Sequence, residues 1–358
     1  MTSSGRSAVS RLPGAQSDCV YVTRGWGVHD ERWVAALLEV GRTPFVVSLG
    51  RDVHDALELR DAVVRAAAGG LPVLAGPLDT VTSLLADLDL SLVGLSWGYD
   101  LTEADREGSD LTWLARLRGL IVDSAWNLAI AERAGLPRGA ITYLPWGVDL
   151  SVFEYHGPWI DAFLLGVPPH APLVVSLRAH EPVYRVADIV RAFAEVPRRR
   201  DVHEDYPDPY LIIGHEGSLT GELEELVRTL GIADRVRFIG RVGEHDLVPL
   251  LGRAACYVSA SEVDGTSVTL LQAMACGTPV VVSRTPGNLD WVEEGITGFT
   301  FPTGDVAALA RTLVEVTARY PIAVVERARL EVQDRADWRA NLTRLGSALA
   351  AAGSVEDR

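Results

Sequence analysis

Short runs of apolar and β-branched residues recur along the chain, each leading through a polar or glycine-bearing turn into a segment with apolar positions three and four apart. In the first half the runs are Asp18 to Thr23, Pro44 to Leu49, Pro72 to Ala75, residues 91–101 and residues 120–124. Helical spacing lies between them. Trp33, Leu37 and Leu38 form one apolar side that Gly41 ends, and Arg60 to Ala68, Thr80 to Leu88 and Trp126 to Ala134 give three more helices. Residues 153–172, rich in proline and glycine, read as a hinge. From Leu173 the pattern resumes, with strands at 173–177, 210–214, 236–240, 256–258 and 279–282. Helices follow from Val186, at Ser267 to Ala275, at Asp305 to Thr317 and at 321–335. Strand and helix alternating in this way predict an α/β fold of two doubly wound, Rossmann-like domains with parallel sheets.

The unit CYVSASEVDGTSVTLLQAMACGTPVVVS, residues 256–283, carries chemistry in its turn. Asp264 stands just ahead of Gly265, Thr266 and Ser267, whose backbone N–H groups at a helix start are expected to be unpaired and to face outward as an anion site. Gln272 lies roughly 12 Å further along the helix. A nucleotide sugar can span that distance, with hexose at Asp264, diphosphate at the helix start and ribose at Gln272. On spacing alone, an ordinary turn of a βαβ unit fits equally well.

Three further places invite a ligand. Gly25 and Gly27 bracket the turn after the first strand, where backbone can approach a bound group or simply turn tightly. Ser96, Trp97, Gly98, Tyr99 and Asp100 close the run at 91–101, so Asp100 either positions or deprotonates an acceptor hydroxyl or caps a helix. Arg178 ends the strand at 173–177, within reach of a phosphate. His29, near the start of the first helix, reads as a surface cap residue.

An acidic residue, seven residues, a second polar residue, then AMACGTPVV and TGFTF resembles the signature of the retaining glycosyltransferases of family GT4, in which two glutamates bracket the seven. Here the bracketing pair is Asp264 and Gln272. A shorter carboxylate still accepts from sugar hydroxyls, and an amide still bonds a ribose. The resemblance implies GT-B architecture, two Rossmann-like domains facing a central cleft: residues 1–160 on the acceptor side, 173–335 binding the nucleotide sugar, and 336–358 as a helix crossing back to the first domain. It also implies retention of anomeric configuration without a metal or other cofactor, and a donor linked to UDP or GDP. Arg178 matches the arginine that contacts the donor diphosphate. The lysine that accompanies it falls on Tyr184, with Arg185 one position on, and either can supply a donor group. Arg241 and Val242, after the strand at 236–240, match the segment that packs against the nucleotide base. Many members carry a histidine near the strand end at Asp100, and this chain has none there.

Composition narrows the field. The chain of 358 residues is 48% hydrophobic and 23% charged, enough for two domains. No apolar run approaches the roughly 18 residues that span a bilayer. Residues 1–17 lack the apolar centre of a secretory signal and read as a disordered lead-in, so a cytoplasmic location is expected. The formal charge of −15 argues against nucleic acid as a partner, and the run Arg198 to Arg200 reads as a solvated helix end. All 33 basic residues are arginine, which excludes a P-loop lysine, a pyridoxal Schiff base and an SxxK nucleophile. Cys19, Cys256 and Cys276 are too scattered for a disulfide framework. Asp87 and Asp89 form a DxD that precedes a strand instead of ending one, a poor place for a metal.

The activity expected is transfer of a sugar from a nucleotide-diphosphate donor to a small-molecule or glycan acceptor. Two other readings use the same scaffold. A non-hydrolysing sugar-nucleotide epimerase would form product without an acceptor, and a catalytically silent partner of another transferase would bind nucleotide weakly or not at all.

Overall fold

Two parallel sheets are present in the structure, a computed structural model that describes residues 17–145, 147–153, 165–198 and 207–353. Residues 1–16, Trp146, most of the expected hinge, Arg199 and Arg200 lie outside the described residues. The first sheet comprises β1 (Cys19–Arg24), β2 (Pro44–Leu49), β3 (Val73–Ala75), β4 (Leu92–Leu95), β5 (Gly119–Val122) and β6 (Ile141–Tyr143), in the order β2-β1-β3-β4-β5-β6. The second comprises β7 (Leu173–Ser176), β8 (Tyr210–Gly214), β9 (Val236–Gly240), β10 (Cys256–Ser259), β11 (Val280–Ser283) and β12 (Phe299–Phe301), in the order β12-β11-β10-β7-β8-β9. Contacts gather the chain into Met1–Pro145 with Arg339–Arg358, and Trp146–Trp338.

The strands read as nearly unbroken apolar runs because both faces of each sheet are covered. In the second unit the period of two is visible directly: Val281 packs into one core cluster, while Val280 and Val282 pack into another on the opposite face. Helix starts follow local chemistry. Asp55, Ser124 and Asp305 each accept from the backbone N–H three residues on, and the helices Ala56–Ala66, Ala125–Arg133 and Val306–Ala318 begin behind them.

Several expectations need correction. The run at 91–101 stops at Leu95, and Gly98, at φ 85°, turns the chain into a helix, Tyr99–Glu107, whose few apolar residues hid it from a periodicity reading. The expected helix Thr80 to Leu88 is a wide π-type turn, Leu78–Thr82, followed by one short turn, Ser83–Leu85. The segment before Cys256 contains a helix, Glu244–Arg253, that tolerates Pro249 in its interior. The TGFTFP stretch is an edge strand, β12, not only a turn.

Topology places the candidate ligand sites. In the second sheet β7 and β10 are neighbours, and the chain winds outward from β7 through β8 and β9 before returning to β10. Strand order therefore reverses between β7 and β10, where the loops leaving the two carboxyl ends diverge and open a crevice. The equivalent reversal in the first sheet falls between β1 and β3.

The last helix, Trp338–Gly353, buries Asn341, Leu345, Leu349 and Ala352 along one side. Asn341 donates from Nδ2 to the Pro145 carbonyl at 3.0 Å and is itself 1% exposed. Asn341→Ala removes that donor and leaves the buried carbonyl unmatched, a loss of about 1–3 kcal/mol. A lowered midpoint in chemical denaturation is expected; an unchanged one would mean that this bond does not hold the helix.

Candidate functional site

The reversal between β7 and β10 is where the sequence placed its strongest candidates, and three of them meet there. Arg178, two residues beyond β7, donates from Nη1 to Ser267 Oγ at 2.8 Å. Its Nη2 lies 2.8 Å from Asp264 Oδ2, with the two side chains only 11% and 13% exposed. Its guanidinium carbon, Cζ, lies over the Tyr184 ring, 4.2 Å from the ring centre. Ser267 also caps the helix Val268–Ala275, its Oγ accepting from Leu270 N–H. Arg178 thus sits over a helix start, beside a carboxylate and on an aromatic face.

Three polar atoms in this corner are unmet, the Tyr257 hydroxyl and one atom each on Asp264 and Arg178. The contact between Nη2 and Asp264 Oδ2 is an ion pair by distance but is misaligned as a hydrogen bond, so Oδ2 is buried without a donor. Arg178 Nε is buried without an acceptor. Burial pushes the Asp264 carboxyl above the usual carboxylate range, and the Arg178 charge, the Ser261 hydroxyl and the Gly265 N–H bring it only part of the way back. Burial also opposes the charge on Arg178, but Asp264, Tyr257 and Tyr184 outweigh it and the guanidinium stays protonated.

This differs from the expectation of bare, outward-facing amides. Gly265, Thr266 and Ser267 are all buried, and the arginine covers the helix start. The reason is electrostatic. A buried carboxylate next to a helix start attracts the nearest cation, and Arg178 can reach both. The positive charge needed for an anion is therefore carried mainly by a side chain.

Neighbouring loops hold the corner in place. Gly287, in the short helix Pro286–Leu289, lies against the Asp264–Gly265 backbone so closely that a methyl group would overlap both carbonyl oxygens. Trp291 donates from Nε1 to Thr266 Oγ1 at 3.3 Å. Glu262 donates its backbone N–H to the Val183 carbonyl at 2.8 Å, tying the turn that carries Tyr184 to the loop that carries Asp264. Arg185, at φ 48°, is bound to Asp188 at 2.7 Å and faces Glu262 at 3.8 Å, so its charge is already matched. Sequence reasoning missed Gly287, whose one signal was a glycine in the first turn of a helix following Thr285 and Pro286.

The remaining candidates lie apart from this cluster. Gln272 is half-buried further along the Val268–Ala275 helix. Arg241 is exposed and Val242 half-buried beyond β9, two strands from β7. Gly25 and Gly27 belong to the first unit. The Gly25 N–H goes to the Leu49 carbonyl at 2.8 Å and the Gly27 N–H to Asp30 Oδ2 at 2.8 Å, so neither amide is open to a ligand. Asp87 of the DxD is held by Arg60 at 2.6 Å.

Asp100 is the second residue of the helix Tyr99–Glu107, whose N-cap is Gly98, and its carboxylate ties backbone around that helix start. One oxygen accepts from Ser96 Oγ at 2.6 Å and Leu101 N–H at 2.8 Å, the other from Leu78 N–H at 2.9 Å and Trp97 N–H at 3.1 Å. Burial raises its pKa, against the pull of these donors. With all four contacts pointing inward, this carboxylate fastens the loops after β3 and β4.

Residues 161–326 match the family described as Glycosyl transferases group 1. The chain is 30% identical over 205 residues to the D-inositol 3-phosphate glycosyltransferase of Saccharomonospora viridis, covering 54% of this chain and 46% of that protein. It is 28% identical over 151 residues to the N-acetyl-alpha-D-glucosaminyl L-malate synthase of Bacillus anthracis, covering 42% of this chain and 37% of that one. The matches thus span less than half the length of these curated relatives. The structure of Anabaena HepE in complex with UDP superposes with a TM-score of 0.73 at 16% identity, covering 93% of this chain and 99% of that one. At that identity the likeness establishes the fold, GT-B. Arg178, Tyr184, Asp264, Ser267 and Gly287 all fall within the matched stretch, 161–326.

Two substitutions test this architecture. Gly287→Ala forces the Asp264 loop to shift and is expected to lower stability by about 1–3 kcal/mol in urea denaturation; an unaltered midpoint would show that the loop yields freely. Asp100→Asn sets an amide N–H against hydrogen-bond donors and is expected to cost about 1–3 kcal/mol. Undiminished stability would argue that the carboxylate is not a structural tie.

Proposed function

We propose that this protein is a retaining glycosyltransferase that moves a sugar from a nucleotide-diphosphate donor to a hydroxyl or amine of a small-molecule or glycan acceptor. The observation that carries the reading is the pair of unmet charged groups at the β7–β10 reversal: a buried Nε donor on Arg178 and a buried Oδ2 acceptor on Asp264. A sugar diphosphate is complementary to both. Its phosphate oxygens accept from the guanidinium, and a hydroxyl of its hexose donates to the carboxylate. UDP is the preferred carrier, in line with the UDP bound by the structural neighbour.

The chemistry follows from the charges. As the bond from the anomeric carbon to the diphosphate breaks, negative charge builds on the leaving oxygen. Arg178, held protonated in a largely buried site, stabilises that charge, and the start of the Val268–Ala275 helix adds its dipole. Ser267 turns the guanidinium toward the helix start. Asp264 fixes the hexose through its hydroxyls, limiting the orientations in which an acceptor can attack. Gln272 is the proposed partner of the ribose. The proposed reaction calls on no metal ion, because the leaving charge is met by arginine and backbone.

Calorimetry with UDP tests the clamp. Arg178→Ala is expected to weaken binding roughly 10- to 100-fold, the worth of a charge-assisted hydrogen bond; equal affinity would remove Arg178 from the site. For the carboxylate, Asp264→Asn is more informative than Asp264→Ala, because alanine would leave no polar group in the place of the carboxylate beside Nη2. The asparagine variant should lose at least about a hundredfold in sugar transfer or donor hydrolysis, with UDP still bound. Undiminished turnover would exclude Asp264 from the reaction.

A further inference from the structure

We infer that Tyr184 is the positioning residue of the anion clamp and that it acts through its ring. This deepens the proposed function and rests on it. A guanidinium has two kinds of surface: an edge of N–H donors and two flat faces. Ser267 and Asp264 contact Arg178 at the edge, through Nη1 and Nη2. An incoming diphosphate needs that same edge, where Nε is open to it while Nη1 and Nη2 are shared with Ser267 and Asp264. The Tyr184 ring lies beneath Cζ, 4.2 Å from its centre, a contact that takes up no N–H donor. Of the three contacts, this is the one that leaves the donor edge untouched.

The platform is itself anchored. Tyr184 ends a tight turn, Pro182–Tyr184, in which its own N–H donates to the Glu181 carbonyl at 3.0 Å. The preceding carbonyl, of Val183, accepts from Glu262 N–H on the Asp264 loop. Ring, arginine and carboxylate are thereby linked into one framework. The Tyr184 hydroxyl makes no hydrogen bond among the described residues, which leaves the ring as the working part. Arg185, the other candidate, is committed to Asp188 and Glu262. The clamp therefore works with one guanidinium held over an aromatic ring, and of the two residues that could supply a further donor group, Arg185 is spent elsewhere.

Holding a long side chain in its binding conformation reduces the ordering cost at the moment of association. Removing the face should therefore appear as lost affinity for the diphosphate. The test is isothermal titration of UDP into the full chain and into Tyr184→Leu, Tyr184→Phe, Arg178→Ala and the double variant Arg178→Ala/Tyr184→Leu. Tyr184→Leu is expected to bind UDP roughly 5- to 30-fold more weakly, and Tyr184→Phe to restore most of that loss. In the Arg178→Ala background the leucine substitution should cost little more, because the arginine it positions is gone. Three results would overturn the inference: leucine binding as tightly as tyrosine, phenylalanine binding as weakly as leucine, or an equal leucine penalty with and without Arg178. If the unmodified chain binds no UDP, the donor assignment fails first and the clamp fails with it.

Discussion

A buried ion pair, Arg178 with Asp264, is the constraint around which the second unit is arranged. Charges this shielded from water are tolerated only when each meets another, and removing one member of such a pair typically costs about 3–5 kcal/mol. Here the match is incomplete. The guanidinium keeps one donor and the carboxylate one acceptor without a partner. Groups left unmet inside a folded protein are rare, and they mark the place where stability has been exchanged for binding. A ligand carrying both an anion and hydroxyl groups completes the arrangement.

Topology makes such a corner possible. Arg178 and Ser267 are 89 residues apart, yet β7 and β10 run side by side, so these two side chains can reach one another at the mouth of the crevice. The surrounding loops then remove slack. Gly287 allows backbone to pack on backbone, Glu262 ties one loop to the other, and Ser267 serves at once as helix cap and arginine partner. The first unit uses its buried carboxylates differently. Asp30 accepts from Tyr21, Thr23 and Gly27, and Asp100 from four donors, so both are spent on shaping turns.

Much of this was legible in the chain, for identifiable reasons. Strands β2, β8 and β9 were bounded correctly because each is a largely apolar run flanked by turn residues. Arg178 and Asp264 were found because each follows a strand at its carboxyl end. What escaped was non-local or masked. Nothing in local sequence pairs Arg178 with Asp264 or lays it on Tyr184, since those contacts exist only once the sheet has formed. The helix Tyr99–Glu107 is too polar for periodicity to reveal, and Glu244–Arg253 contains a proline that argued against it. The glycines at 25 and 27 allowed a close approach of a bound group or a plain tight turn, and Leu49 and Asp30 take their amides. A glycine reports freedom of the backbone, not what that freedom serves.

The central claim is that the guanidinium of Arg178, at the reversal between β7 and β10, grips the diphosphate of the donor. A crystal structure of the full chain soaked with UDP tests it most directly. The account predicts phosphate oxygens within hydrogen-bond distance of the Arg178 N–H edge, with the Tyr184 ring still beneath it. UDP lodged elsewhere, or an Arg178 still engaged only by Asp264 and Ser267 with nucleotide bound, would contradict it.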